Sequence, residues 1–162
     1  ATGFEVGTEY SRRAGYQIHG VDGKTVTQKW QNGLATFHGM HSRGFPNAFF
    51  FGPAQSGFTA TYTYSLDEQS IHLAYILEKI IDKGATRVEA SQEAEEQWIQ
   101  TIIEKARLTA DFQENCTPGY YNNEGKINQT PQNNTYGGGP IEFFSLMKKW
   151  RSKDSLEGLE IN

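Results

Sequence analysis

The stretch GFPNAFFFGPAQSGFTATYTYSLDEQ, residues 44–69, decides how the chain is read. Ala48 to Phe51 form a short apolar and aromatic run bounded by Pro46-Asn47 and Gly52-Pro53. Such a run predicts a strand covered on both faces. From Leu66 the period changes: Leu73, Ile76, Leu77, Ile80 and Ile81 fall at i, i+3, i+4, i+7 and i+8, one apolar stripe of a helix. Lys83-Gly84 closes it, because a cation suits the negative helix end and glycine suits the left-handed residue beyond. A buried strand that enters a helix through a Gly/Pro/Ser/Thr-rich turn is where open α/β folds bind ligands, at the free N–H groups of the helix start. The same pattern also serves as an ordinary connection, since neither GxGxxG nor GxxxxGK[ST] occurs in the chain. Phe58, Tyr62 and Tyr64 are more aromatic surface than a tight connection needs, and they suit the rim of a site for a flat cofactor or substrate.

Around this stretch lie 162 residues in all, enough for one domain and one core. A net charge of -4 supplies no basic field for phosphates, which argues against nucleic-acid and membrane-surface partners. The single cysteine, Cys116, excludes an internal disulfide and a cysteine-based zinc site, and a cytoplasmic setting is the default. No run approaches the roughly 20 apolar residues of a membrane span. The chain opens without methionine on Ala1-Thr2-Gly3-Phe4, which reads as the end of a strand and predicts a fragment whose pairing partners lie elsewhere.

Upstream of the central stretch, Tyr16–His19 and Thr25–Thr27 flank Val21-Asp22-Gly23-Lys24, a hairpin signal because Asp-Gly accepts positive φ. A second turn follows at Lys29–Gly33, then a short strand at Ala35–His38. Downstream, a helix is predicted from Ser91 to Phe112, capped by Ser91 and buried along Ala94, Trp98, Ile102 and Ala106. Residues 113–139 are rich in Asn, Gln, Gly, Pro, Thr and Tyr, and they predict a long loop folded over a site. Pro140 suits a first helical position, and Phe143, Leu146, Met147 and Trp150 mark one face of a further helix. Leu156–Ile161 predicts a terminal strand.

Residue patterns alone carry little chemistry. On a strand, His38 and His41 face opposite sides, and no HExxH spacing or fixed carboxylate accompanies them, so no metal site is assigned. Gln55-Ser56-Gly57 sits where a nucleophile elbow would, yet Ala54 replaces the first glycine of GxSxG. Cys116 has no neighbouring cation to lower its pKa.

Several strings in order nonetheless resemble one family, the flavin-dependent Baeyer–Villiger monooxygenases. They are Ala1-Thr2-Gly3-Phe4-Glu5, Gly44-Phe-Pro-Asn47 with Gly52-Pro53, Glu68-Gln69, Asn122-Asn123-Glu124-Gly125-Lys126, and Tyr136-Gly137-Gly138. The resemblance implies oxidation of a small ketone to an ester or lactone with FAD, NADPH and dioxygen. It implies an α/β fold class: an incomplete, Rossmann-like FAD-binding portion with C-terminal helices and a lid loop. Residues 1–84 would supply flavin-site strands and a helix, and 85–162 a helical part with its lid at 113–139.

Carried over by residue, the resemblance brings Ala1, Thr2, Gly3, Gly52 and Pro53 toward FAD. It turns the backbone N–H groups of Tyr62, Thr63 and Tyr64 to the flavin ring, and it places Asn122 and Lys126 in the lid over NADP and substrate. Thr117 stands where the family commonly carries a tryptophan. In this family both dinucleotide fingerprints and the arginine that supports the peroxyflavin lie upstream of the ATGF stretch, so no catalytic role is assigned within this chain. The expected partner is the N-terminal FAD/NADP-binding part, and the isolated chain is expected to be inactive. The alternative is a non-catalytic assembly module, a homo-oligomer held through exposed apolar surfaces.

Overall fold

The computed structural model describes the backbone of residues 15–115 and 130–162, and the side chains of all of these except 107–115. Ala1, Thr2, Gly3, Cys116, Thr117, Asn122 and Lys126 lie outside the described residues. In chain order the elements are a 3-10 turn at Val21–Gly23, α1 (Val26–Lys29), α2 (Tyr62–Asp82), β1 (Val88–Ala90), α3 (Gln92–Asn115), a 3-10 turn at Pro131–Asn133, α4 (Pro140–Ser152) and β2 (Leu159–Ile161).

Local chemistry explains most of these boundaries. Asp22 and Gly23 take φ of 62° and 74°, so the chain reverses there and His19 bridges Thr25. The second arm then leaves the extended state at once, because Thr25 and Gln28 form a reciprocal capping box that starts α1. Ser91 Oγ accepts the Ala94 N–H at 3.1 Å and starts α3. Gly84, at φ 64°, ends α2, and Pro140 opens α4. The terminal strand β2 pairs antiparallel with β1, Glu160 opposite Glu89.

The main core lies among β1, α3, α4 and the inner face of α2. Trp98, Ile102, Phe143, Met147, Trp150, Ile76 and Val88 are its large members. Trp98 stacks on Tyr136 at 5.7 Å and 9°, and its indole N–H donates to Gln55 O at 3.1 Å. A second, smaller cluster joins Val26, Phe45 and Phe50.

The strand expected at Ala48–Phe51 does not form. Asn47 N–H donates to Val88 O and Phe50 N–H to Met40 O, single bonds to two different segments, so no ladder is built. Nor is the run covered on both faces: Phe50 is buried while Phe51 is 43% exposed. The expected strand at Ala35–His38 is likewise one bridge, Phe37 to His41.

The apolar stripe expected on α2 is also divided. Ile76 and Ile80 are buried, whereas Leu77 and Ile81 face outward, Ile81 at 74% exposure. The inner face is instead Ser65, Gln69, His72, Ile76 and Ile80. Its polar members stay inside because each has a hydrogen-bond partner there.

Candidate functional site

The turn at 52–57 is joined to α2 through Gln69, and polar side chains hold the turn from two sides. From the core side, Gln55 is fully buried at φ 54°. Its amide donates to Leu34 O and Gln132 O, each at 2.8 Å, and Thr36 Oγ1 donates to its oxygen. Its backbone N–H donates to Asn134 O at 2.8 Å. From the helix side, Gln69 Nε2 donates to Gly52 O at 2.8 Å and to Ser56 Oγ at 3.0 Å, while Gly52 N–H donates to Gln69 Oε1 at 3.3 Å.

Nothing among the described residues requires a glycine at Gly52. Its φ is not in the positive range that favours glycine, and a Cβ built there meets nothing within 4 Å. Gly57 is different, since a Cβ there falls 2.8 Å from the Phe143 ring. The space beside Gly52 is therefore open to close approach by something other than these described residues.

At the helix start, Thr61 makes no side-chain cap. Tyr64 N–H donates to Thr61 O at 3.0 Å, which leaves the Tyr62 and Thr63 N–H groups without a partner among the described residues. Of the three backbone groups expected to face a ligand, two are open in this sense. Around them stand exposed aromatic rings: Phe58 and Tyr62 at 5.9 Å, and Tyr64 edge-on to Phe144 at 5.4 Å. Tyr64 Oη donates to Glu68 at 3.1 Å, and that carboxylate raises the phenol pKa.

The last third of the expected lid, from Thr130, is docked to the body. Leu34 N–H donates to Asn133 Oδ1 at 2.7 Å, and Tyr136 N–H to Ser56 O at 3.0 Å. Tyr136 Oη donates to Glu142 at 2.6 Å. Gly137 allows this docking, because a Cβ there falls 2.3 Å from Lys105 O.

The histidines do not converge on a ligand. His38 and His41 occupy a tight turn rather than a strand, and both are buried. His72 from α2 joins them, 5.5 Å from His38 between ring centres, with Trp98 and Trp150 against the same rings. Burial pushes the His41 pKa down to about 4 and that of His72 to about 3, with His41 and Arg151 adding to the latter shift. His38 is lowered well below its usual value, first by burial and then by the other two imidazoles. Among the described residues, no group of three or more His, Cys, Asp or Glu could hold a metal ion. No helix among them is long and apolar enough to cross a membrane.

Sequence reasoning named Gly52, Pro53 and the start of α2 but missed the residues that hold them, Gln55 and Gln69. The available signal was the spacing of Ser65, Gln69, His72, Ile76 and Ile80 along one side of a helix. Read as an inner face, it predicts buried polar groups that need partners.

The sequence and fold of the chain recur in known proteins. Neopentalenolactone D synthase from Streptomyces avermitilis is 44% identical over 99% of this chain. An FAD-binding monooxygenase from Hypomyces subiculosus is 34% identical over 98%, and a Baeyer–Villiger monooxygenase from Stachybotrys chlorohalonatus is 38% identical over 100%. The structure of a polycyclic ketone monooxygenase from Thermothelomyces thermophila superposes with a TM-score of 0.86 at 33% identity, covering 94% of this chain and 25% of that one. A cyclohexanone monooxygenase from Rhodococcus sp. Phi1 bound to NADP+ shares the fold, with a TM-score of 0.79 at 24% identity over 100% of this chain and 29% of that one.

No protein-family profile matches the chain. Over nearly its whole length the chain is a relative of the FAD-binding and Baeyer–Villiger monooxygenases. It spans 28%, 27% and 26% of the lengths of the three curated relatives named, a little over a quarter of each.

Proposed function

We propose that this chain is one portion of a cytoplasmic Baeyer–Villiger monooxygenase that oxidises a ketone to an ester or lactone, and that it supplies one wall of the flavin site. The overall reaction converts ketone, NADPH, a proton and dioxygen into ester, NADP+ and water, and FAD supplies the electron transfer and oxygen chemistry when bound. The observation that carries the reading is the Gly52 backbone, bare among the described residues and tied by Gln69 to the helix whose first turn carries the Tyr62 and Thr63 N–H groups.

In this reading Gly52 and Pro53 pack against the cofactor, and the Tyr62 and Thr63 N–H groups donate to it with the positive end of the helix behind them. The aromatic rings of Phe58, Tyr62, Tyr64 and Phe144 keep water from that edge. The Rossmann-like character of the FAD-binding portion, the roles of Ala1, Thr2 and Gly3 toward FAD, and those of Asn122 and Lys126 in a lid over NADP and substrate rest on the family resemblance. So do the chain's two parts, 1–84 and 85–162. The docked segment 130–139 would then be the fixed hinge of that lid.

The chain alone lacks the dinucleotide fingerprints and is inactive in this reading. The remaining FAD/NADP-binding part of a longer polypeptide completes the site, and the outward apolar residues of α2, Ile71, Leu77 and Ile81, suit a covered surface. That same stripe favours the second reading, an assembly module that self-associates through it.

The test compares the isolated chain with the longer polypeptide, by flavin absorbance after desalting and by ketone-dependent NADPH oxidation. Flavin retention and turnover are expected only in the longer polypeptide. Robust turnover by the isolated chain overturns its dependence on the rest, and a longer polypeptide that retains no flavin overturns the cofactor reading. A flavin-free chain that forms a stable dimer by light scattering supports the assembly reading instead.

A further inference from the structure

We propose that Gln69 is a positioning residue that sets the Gly52-Pro53 turn against α2, about two turns along from its uncapped start, and so fixes the spacing between the packing edge and the donating edge of the site. The cofactor half of this proposal rests on the function proposed above; the clamp itself does not.

Gln69 lies seven residues along α2 from Tyr62, about two turns and roughly 10.5 Å down the axis. It is buried, 3% exposed, and points back to the turn. Its amide meets both polar groups of one residue: Oε1 accepts the Gly52 N–H at 3.3 Å and Nε2 donates to Gly52 O at 2.8 Å. This is the two-bond exchange of an antiparallel strand pair, with a side chain in place of the neighbouring strand. Only glutamine or asparagine carries a donor and an acceptor in that fork, and asparagine is one methylene shorter. The second Nε2 hydrogen reaches Ser56 Oγ at 3.0 Å, and Ser56 in turn donates to Gly52 O, so the serine hydroxyl fixes which way the amide faces.

The consequence is a division of labour across the site. Pro53 has no N–H, and its carbonyl accepts from Ser56 N–H at 3.2 Å. With the Gly52 N–H held by Gln69 and no N–H on Pro53, residues 52 and 53 have no donor left for a ligand. The turn can pack and accept, and donation falls to Tyr62 and Thr63 on the same helix that carries Gln69. One side chain therefore governs the distance between the two kinds of contact.

The variants are Gln69→Met, of similar size without the amide, and Gln69→Glu, which sets a carboxylate against Gly52 O. Ile80→Ala, on the same buried face away from the turn, controls for general loss of stability. Two readouts are taken, amide hydrogen exchange at Gly52 in this chain and FAD affinity in the longer polypeptide, both well below each variant's Tm. Gly52 exchange at least tenfold faster in Gln69→Met, and FAD binding at least tenfold weaker in both Gln69 variants but within twofold in Ile80→Ala, are expected. Unchanged Gly52 exchange overturns the clamp. Faster exchange with FAD affinity within twofold of the unmodified protein overturns the positioning role and leaves a structural one. An unmodified polypeptide that binds no FAD overturns the functional reading beneath, while the exchange result still decides the clamp.

Discussion

The interior has two regions of opposite chemistry. Between α3 and α4 it is ordinary core: Trp98 and Phe143 meet edge to face, Ile102, Met147 and Trp150 pack in the same cluster, and indole N–H groups find carbonyls at 3.1 and 2.9 Å. Between α2 and the 52–57 turn it is a lattice of amides and hydroxyls, with Gln55, Ser56, Ser65 and Gln69 all buried and bonded to backbone or to each other. Apolar packing is non-directional and tolerates small shifts. Hydrogen bonds set distance and angle, so the region that shapes the open Gly52 edge is the one built from them.

The largest expected effect tests the apolar region. Trp98→Ala removes the stack on Tyr136 and the bond to Gln55 O, and it should cost about 3–5 kcal/mol in urea denaturation. A cost near 1 kcal/mol would place the stability of the fold elsewhere.

Acid should act where the regions meet, at the histidines. His41 and His72 have folded pKa values near 4 and 3, below the usual value of about 6.5, so the unfolded chain binds more protons than the folded one between these limits. Stability is full above about pH 6.5 and falls as pH drops toward 4, by up to about 1.4 kcal/mol per pH unit for each such histidine. The groups that face them are His38 and Arg151. Equal urea midpoints at pH 7 and pH 5 would show that the rings are solvated.

Gln55→Met probes the polar region directly. It strands the carbonyl of Gln132 and the Thr36 hydroxyl and leaves Leu34 O only its bond from Gln132 Nε2, and a cost of about 1–3 kcal/mol is expected, with faster hydrogen exchange at Leu34 and Asn134. A neutral result would mean that water replaces the amide. The smallest effect belongs to the surface: Lys153→Ala breaks an exposed pair with Glu157 at 2.8 Å and should change stability by no more than about 0.5 kcal/mol.

The same division separates what could be read in advance from what could not. The α3 stripe of Ala94, Trp98, Ile102 and Ala106, its Ser91 cap, the start of α4 at Pro140 and the terminal strand all follow from local periodicity and capping. Gly52, Pro53 and the start of α2 were legible as a turn before a helix. The strand at 48–51 was misplaced because an apolar run shows affinity for burial but not the neighbour that would pair with it. The stripe on α2 was misassigned because Leu77 and Ile81 look like core by type, while the true inner face is polar.

By itself the sequence determined the three long helices, the Ser91 cap, the Gly84 stop and the Pro140 start, and the kinship to flavin monooxygenases, because each is written in neighbouring residues or in ordered strings. Only the tertiary structure decided that Gln55 and Gln69 hold the turn, that three histidines are sealed in the core, and that Gly52 stands open. A buried polar group is stable only where a partner meets it, and such meetings, 17 residues apart for Gln69 and Gly52 and 77 for Gln55 and Gln132, are made by packing, so a local pattern can mark the polar face but not name the partner.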